Sequence, residues 1–303
     1  MYLGMNNLRL WAVVSLLLAP TLTAQDKYFD SDGVRIRYVV QGAGEPVVLV
    51  HGFEGSLENW VRRGVISNLA PDHQVIAFDM RGHGKSAKPH NPSAYGREMG
   101  LDIVRLLDHL GIARAHVVGF SLGSQLTSQL LTLRPDRFLT ATLIAGAGRL
   151  EWTDQQARDS EQEAVELERE CVSRSLITRL SPPDQPKPSD QQIAALSAAC
   201  MADSTQDRFA LAAVARSRGD QRITSDAAAA VTVPTLAVVG SLDAARKGLE
   251  TLKALRPDLK LVIVDGATHA GDRGILGRPE LLAALREFLA ANRVRSLRKS
   301  SRH

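Results

Sequence analysis

Ser121 sits in Gly119-Phe120-Ser121-Leu122-Gly123, after the apolar run 115–118 and before a helical stretch over 123–133. A serine held between two glycines at a strand-to-helix turn suits chemistry better than a core. Such a turn strains the backbone, leaves no room for flanking side chains, and lifts the hydroxyl above the sheet edge. The helix that follows aims its unpaired N–H groups at the same point. A serine hydroxyl is a weak nucleophile at neutral pH, so it needs a base, an acid to orient that base, and donors for the developing oxyanion. Three other loops carry candidates. His51-Gly52-Phe53 follows the buried run 47–50, where the Phe53 N–H can join the Leu122 N–H in an oxyanion hole. Asp243 lies just beyond a strand in Gly240-Ser241-Leu242-Asp243, and His269 follows Gly266-Ala267-Thr268 beyond the last strand. Asp243 is also placed to cap the next helix, and Asp265 precedes the histidine loop, so the residues alone leave the choice of acid open.

These groups need a scaffold that brings distant loops together. The segment 27–42 alternates Val34, Ile36 and Tyr38 with polar residues around Asp32-Gly33, which predicts a hairpin with one exposed face. The run 47–50 is continuously apolar and reads as a strand buried on both faces. A helix is expected around 56–70 and a strand at 75–78. The loop Asp79-Met80-Arg81-Gly82-His83-Gly84 then carries Asp79, Arg81 and His83 as turn-stabilising groups. Leu101, Val104, Leu107 and Leu110 recur at helical spacing. Strand and helix keep alternating, which predicts a largely parallel sheet covered by helices. From 148 the composition turns polar, charged and helical. It includes a proline-rich joint at 181–188 and a helix opened by a capping box at Ser189 and Gln192, with Ile193, Leu196 and Cys200 on one face. This stretch reads as a helical insertion in the α/β core, with Trp152 at its opening. Trp60 and Trp152 read as packing residues.

In order and spacing, "HGF", "DMRGHGKS", "GFSLG", "VPTLAVVGSLD" and "GATH" resemble the α/β-hydrolases of single-domain esterase and lipase-like type, from about Tyr28 to Ala291. The resemblance implies an α/β fold: a mostly parallel central sheet covered by helices on both faces, with a small helical cap inserted. It implies a core at 25–147 and 222–292 and a cap at 148–221. It also implies a triad of Ser121, His269 and Asp243 in the chain order Ser, Asp, His. Related dehalogenases and epoxide hydrolases carry Asp at the nucleophile position. Serine there favours acyl chemistry, and carboxylic ester hydrolysis is the expected activity. C–C bond, lactone, peptide or perhydrolase chemistry uses the same residues, and some members of the fold only bind ligands. No metal or organic cofactor is implied, and the expected partner is a small-molecule acyl substrate. The chain departs from the usual pattern at Leu122, at Thr268 before the histidine, and in lacking a proline soon after Asp243.

With 303 residues, 44% of them hydrophobic, the chain can bury one large core. The net charge of +4 comes from the tail 293–303, whose Arg293, Arg295, Arg298, Lys299 and Arg302 leave the remainder about neutral. That tail reads as solvated and disordered, with contact to nucleic acid or anionic membrane as the alternative. Basic and aromatic residues do not interleave elsewhere, which excludes a nucleic-acid-binding face. Residues 1–24 have the layout of a secretory signal peptide, basic Arg9, an apolar run over 10–18 and a cut near Ala24. An uncleaved membrane anchor is the alternative; after cleavage no membrane span is expected. Export would put Cys171 and Cys200, the two cysteines, in an oxidising compartment, where they form one disulfide or remain buried thiols. The oligomeric state is not legible.

Overall fold

The computed structural model describes residues 25–293, so the expected signal peptide and the tail beyond Arg293 lie outside the described residues. In chain order the elements begin with β1 (Lys27–Ser31), β2 (Val34–Gln41), β3 (Glu45–Val50), α1 (Glu58–Arg62), α2 (Val65–Leu69) and β4 (His73–Phe78). They continue with α3 (Arg97–His109), β5 (Ala115–Phe120), α4 (Leu122–Leu133) and β6 (Phe138–Ile144). Four helices come next: α5 (Asp154–Glu170), α6 (Arg174–Leu180), α7 (Asp190–Ala202) and α8 (Arg208–Arg216). The chain closes with α9 (Ser225–Ala229), β7 (Thr235–Gly240), α10 (Arg246–Leu255), β8 (Lys260–Val264) and α11 (Pro279–Ala291).

The strands form one eight-stranded sheet in the order β1-β2-β4-β3-β5-β6-β7-β8. β1 and β2 are antiparallel to their neighbours, and every pairing from β4 to β8 is parallel. A parallel strand covered on both faces needs apolar residues at every position. β3 shows why: Val48 and Val50 pack into the layer with α3 and α4, whereas Val47 and Leu49 pack into the opposite layer with α2 and α11. Because the strands run in parallel, the loops at their C-terminal ends gather along one edge, where α/β sheets place their sites.

The structure differs from the sequence reading at several elements. The hairpin β1–β2 is less exposed than alternation suggests, since Tyr38 and Val39 point to opposite faces and both are buried. β2 pairs with β4 on its other side, which removes it from the sheet edge. The expected helix over 56–70 is two helices, α1 and α2, broken at Gly64, which adopts φ 69°. In α3 the buried stripe is Met99, Ile103, Val104, Leu106 and Leu107, with Leu101 and Leu110 only half-buried. On α7, Ile193 is buried but Leu196 is 47% exposed.

Between β6 and β7 the chain leaves the sheet and forms a cap from α5 to α8. Capping boxes open α5 (Thr153 with Gln156) and α7 (Ser189 with Gln192), each satisfying two otherwise orphaned backbone N–H groups. Ala164 and Leu167 of α5 pack against Leu211, Ala212 and Ala215 of α8, and Phe53 of the core rests on this cluster. Cys171 ends α5 with φ 60° and is bonded to Cys200 of α7, with Cα atoms 5.8 Å apart. Closing a chain separation of 29 residues removes unfolded-state entropy worth about 3–4 kcal/mol. The double variant Cys171→Ala/Cys200→Ala is expected to melt about 10 °C lower than the oxidised protein. A calorimetric midpoint unmoved by the substitution would show that the disulfide adds nothing to stability.

Candidate active site

The four candidate loops meet at the C-terminal edge of the sheet. Ser121 caps α4 with φ 53° and ψ −111°, a conformation that residues with a Cβ avoid. The turn is held by the Ser121 N–H, which donates to the Ile144 carbonyl at 2.8 Å, and by the Ser121 carbonyl, which accepts from the Ser124 and Gln125 N–H groups. The flanking glycines follow from close approach. A Cβ on Gly123 would lie 2.2 Å from the Val50 oxygen, and one on Gly119 would lie 2.4 Å from the Gly123 oxygen. Either contact would push α4 off the sheet.

His269 reaches this turn from the loop after β8. The Ser121 hydroxyl donates to His269 Nε2 at 3.0 Å. His269 Nδ1–H donates to Asp243 at 3.0 Å to Oδ2 and 3.1 Å to Oδ1. Asp243 and His269 are buried. Burial strengthens the His269–Asp243 bonds, because water does not compete for their atoms. Asp265, the other acid near the histidine, is exposed and accepts from the Ser241 hydroxyl at 3.2 Å. Asp243 also caps locally, accepting the Ala245 N–H at 2.8 Å. A proline at 245 would lack that donor, so the missing proline has a local compensation. Thr268 is equally accommodated: its hydroxyl donates to the Ala270 carbonyl and its N–H to the Arg273 carbonyl. Gly240 lets the two loops converge, since a Cβ there would sit 2.1 Å from the Ala267 oxygen.

Phe53 and Leu122 flank the serine on the β3 and α4 sides. Neither N–H donates to a backbone carbonyl among the turn and loop hydrogen bonds of the described residues. Gly52 lies against the serine, its would-be Cβ 3.2 Å from Ser121 Cβ. The loop is fixed from behind by His51, whose Nδ1–H donates to the Gly52 carbonyl at 2.7 Å and whose Nε2 accepts the Met80 N–H at 3.0 Å. The residues read as turn-stabilising do hold this region together. Asp79 accepts the Leu57 and Lys85 N–H groups, Arg81 forms a fork to Asp102, and His83 Nδ1–H donates to the Arg81 carbonyl.

Burial pushes His51 down to about 4 and, together with neighbouring His51, pushes His83 down to about 3. Burial also lowers His73 and His116. Each is neutral in the folded protein, while the unfolded chain takes up protons below about 6.5. Stability is therefore fully present above pH 6.5 and is lost as pH falls towards 4. Glu54 acts in the opposite sense, because burial raises it to about 7 and the folded state then holds a proton that the unfolded chain releases from 4.5 upwards. The histidines outnumber it. The unfolding free energy is expected to fall steadily between pH 6.5 and 5, and His83→Asn should flatten that slope by about 1 kcal/mol per pH unit. An unchanged slope in the variant would refute the assignment.

Sequence reading missed a set of charges beside this site. Glu163 and Arg218 are buried and ion-paired, and Arg218 lies over the Phe53 ring, 5.1 Å from its centroid. Glu54 follows Phe53 with φ 58°, and its Oε1 is sealed without a hydrogen-bond partner. The signal for Glu163 was present, since Ser160, Glu163, Ala164 and Leu167 form the buried i, i+3, i+4, i+7 stripe of α5.

Comparison with known proteins places the chain. Residues 45–271 match the family described as alpha/beta hydrolase fold. A thermophilic esterase from Thermogutta terrifontis superposes with a TM-score of 0.72 at 22% identity, covering 89% of this chain and all (100%) of that one. Epoxide Hydrolase A from Mycobacterium thermoresistibile gives 0.70 at 22% identity, covering 88% of this chain and 98% of that one. At such identity the likeness is one of fold. In sequence, the dihydrolipoyllysine-residue acetyltransferase component of the acetoin cleaving system of Cupriavidus necator is 37% identical over 123 residues. That match covers 40% of this chain and 32% of that protein, so the chain spans about a third of that relative's length. With the family match running from β3 through the histidine loop, and with sheet order and loop placement in agreement, the chain belongs to the alpha/beta hydrolase fold family.

Proposed function

We propose that the protein is an exported serine hydrolase that cleaves a carboxylic ester through an acyl-enzyme on Ser121. The observation that carries this reading is the hydrogen-bonded line Ser121–His269–Asp243, with a 3.0 Å contact between hydroxyl and imidazole. His269 Nε2 takes the serine proton as Oγ bonds to the ester carbonyl carbon, and Asp243 stabilises the resulting imidazolium. The carbonyl oxygen becomes an oxyanion held by the Phe53 and Leu122 N–H groups. Collapse breaks the bond to the alkoxy group, which leaves with the proton from His269. Water, deprotonated by the same imidazole, then attacks the acyl-enzyme and releases the carboxylic acid. Epoxide-opening relatives in this fold need a carboxylate nucleophile, and the elbow here holds a serine.

The cap disulfide suits an oxidising compartment and supports export. Among the described residues no helix is long and apolar enough to cross a membrane. A fluorophosphonate probe tests the reading directly. Labelling on Ser121 that is lost in His269→Ala, together with release of 4-nitrophenolate from short acyl esters, is the expected result. Unlabelled protein that releases no product from an acetate-to-palmitate series would instead support a binding role.

A further inference from the structure

Arg149 stands where the chain passes from β6 into the cap, in a segment that crosses the nucleophile turn. A Cβ on Gly146, three residues earlier, would lie 2.6 Å from the backbone carbonyl oxygen of Ser121. The Arg149 Nε donates to Gln221 Oε1 at 3.4 Å, and its guanidinium lies 5.7 Å from the Trp152 ring centroid. Its two terminal nitrogens have no hydrogen-bond acceptor among the described residues and are not sealed from solvent, so they stay open to a ligand. One carboxylate that faces this region is already shared. Glu163 binds Arg218 through Oε2 and Arg179 through Oε1 at 2.6 Å. The second, Glu54, is raised to about 7 by burial, so it only half neutralises the site at neutral pH. Three guanidinium groups thus face little more than one negative charge.

Burial, with Arg218 and Arg179 nearby, pushes Arg149 down to about 9. A guanidinium keeps its proton under such stress, so the stress registers as positive charge that lacks a counter-ion. Arg218 ties the set to the serine turn, because its guanidinium covers the ring of Phe53, which follows Gly52, and Gly52 lies against Ser121.

We propose that Arg149, oriented by Gln221, is a specificity-determining residue that receives a carboxylate on the substrate, so that the enzyme prefers esters bearing a second, anionic carboxyl group. This rests on the ester-hydrolase reading of the site. A single open fork, whose planar donors match the two oxygens of a carboxylate, fits a planar monoanion better than a phosphate dianion. Arg218 and Arg179 hold Glu163, and Arg149 holds the ligand.

The test compares 4-nitrophenyl butyrate with mono-4-nitrophenyl glutarate on wild type, Arg149→Met and Arg149→Lys. Wild type is expected to favour the glutarate ester in kcat/KM by roughly 10- to 100-fold, the range for a charge-assisted hydrogen bond. Arg149→Met should collapse that ratio, mainly through KM, and Arg149→Lys should restore part of it. A wild-type ratio at or below one, or a ratio unchanged in Arg149→Met, overturns the proposal. If neither ester is turned over, the ester reading fails separately, and calorimetric titration of the full-length Ser121→Ala protein with glutarate decides the subsite. Binding that weakens at least tenfold in Ser121→Ala/Arg149→Met supports it, and no Arg149-dependent binding overturns it. If Arg149→Met does not fold, Arg149→Gln takes its place in both arms.

Discussion

Ser121→Ala is expected to lower kcat on a 4-nitrophenyl ester by about six orders of magnitude, the loss seen when a triad nucleophile is removed. The fold should survive. Alanine keeps the Cβ that already occupies φ 53°, and the backbone hydrogen bonds of the turn do not involve the hydroxyl. The change removes one hydrogen bond, to His269 Nε2, and leaves that nitrogen at a site with some access to solvent. A net cost of about 1 kcal/mol follows, visible as a shift of a few degrees in the melting midpoint. Purified variant that retains more than about a hundredth of the wild-type rate would remove Ser121 from the nucleophile role. The paired measurement of rate and midpoint separates lost chemistry from lost fold.

Asp243→Asn should cost about four orders of magnitude in kcat while leaving the loop intact. The geometry says why an amide is so damaging. Oδ1 of Asp243 accepts the Ala245 N–H at 2.8 Å, and asparagine can keep that bond only with its own oxygen in the same place. Its NH2 group then faces His269 Nδ1, where the carboxylate Oδ2 now accepts at 3.0 Å. A donor there, with only the 3.1 Å oxygen left to accept from Nδ1–H, favours the tautomer that carries its proton on Nε2, pointed at Ser121, in which the ring cannot take the serine proton. Asp265→Asn is the matched control, and it should leave kcat within about twofold, the scale of an exposed surface change. Equal losses in the two variants, or a loss confined to Asp265→Asn, would overturn the assignment of the acid.

Much of this site was readable along the chain because it is built from short-range rules. The paired glycines around Ser121 mark a turn where backbone meets backbone, and backbone oxygens lie 2.2–2.4 Å from the would-be Cβ atoms of those glycines. The unbroken apolar run of β3 marks a strand covered on both faces, as Val47 to Val50 show. The Ser189–Gln192 box marks a helix start through bonds that span three residues.

What resisted sequence reading depends on partners from elsewhere in the chain. Spacing made Leu101 and Leu110 as good as Met99 and Ile103 on α3, and only the neighbours in the fold decide which stripe is covered. Asp243 and Asp265 both lie near the histidine along the chain, and the choice between them follows from which loop Gly240 allows to close against Ala267. Glu163 looks like any other acid in a charge-rich helix until Arg179 and Arg218 meet it beneath the cap. Arg149 looks like a linker cation until burial leaves it short of a counter-ion. The sequence by itself determined the fold family, the order of the sheet-edge loops and the serine at the strand-to-helix turn, because turns, strands and caps are set by residues within a few positions of one another. The tertiary structure alone decided which acid faces the imidazole and which charges line the cap, because desolvation and ion pairing depend on groups that the chain brings together only when it folds.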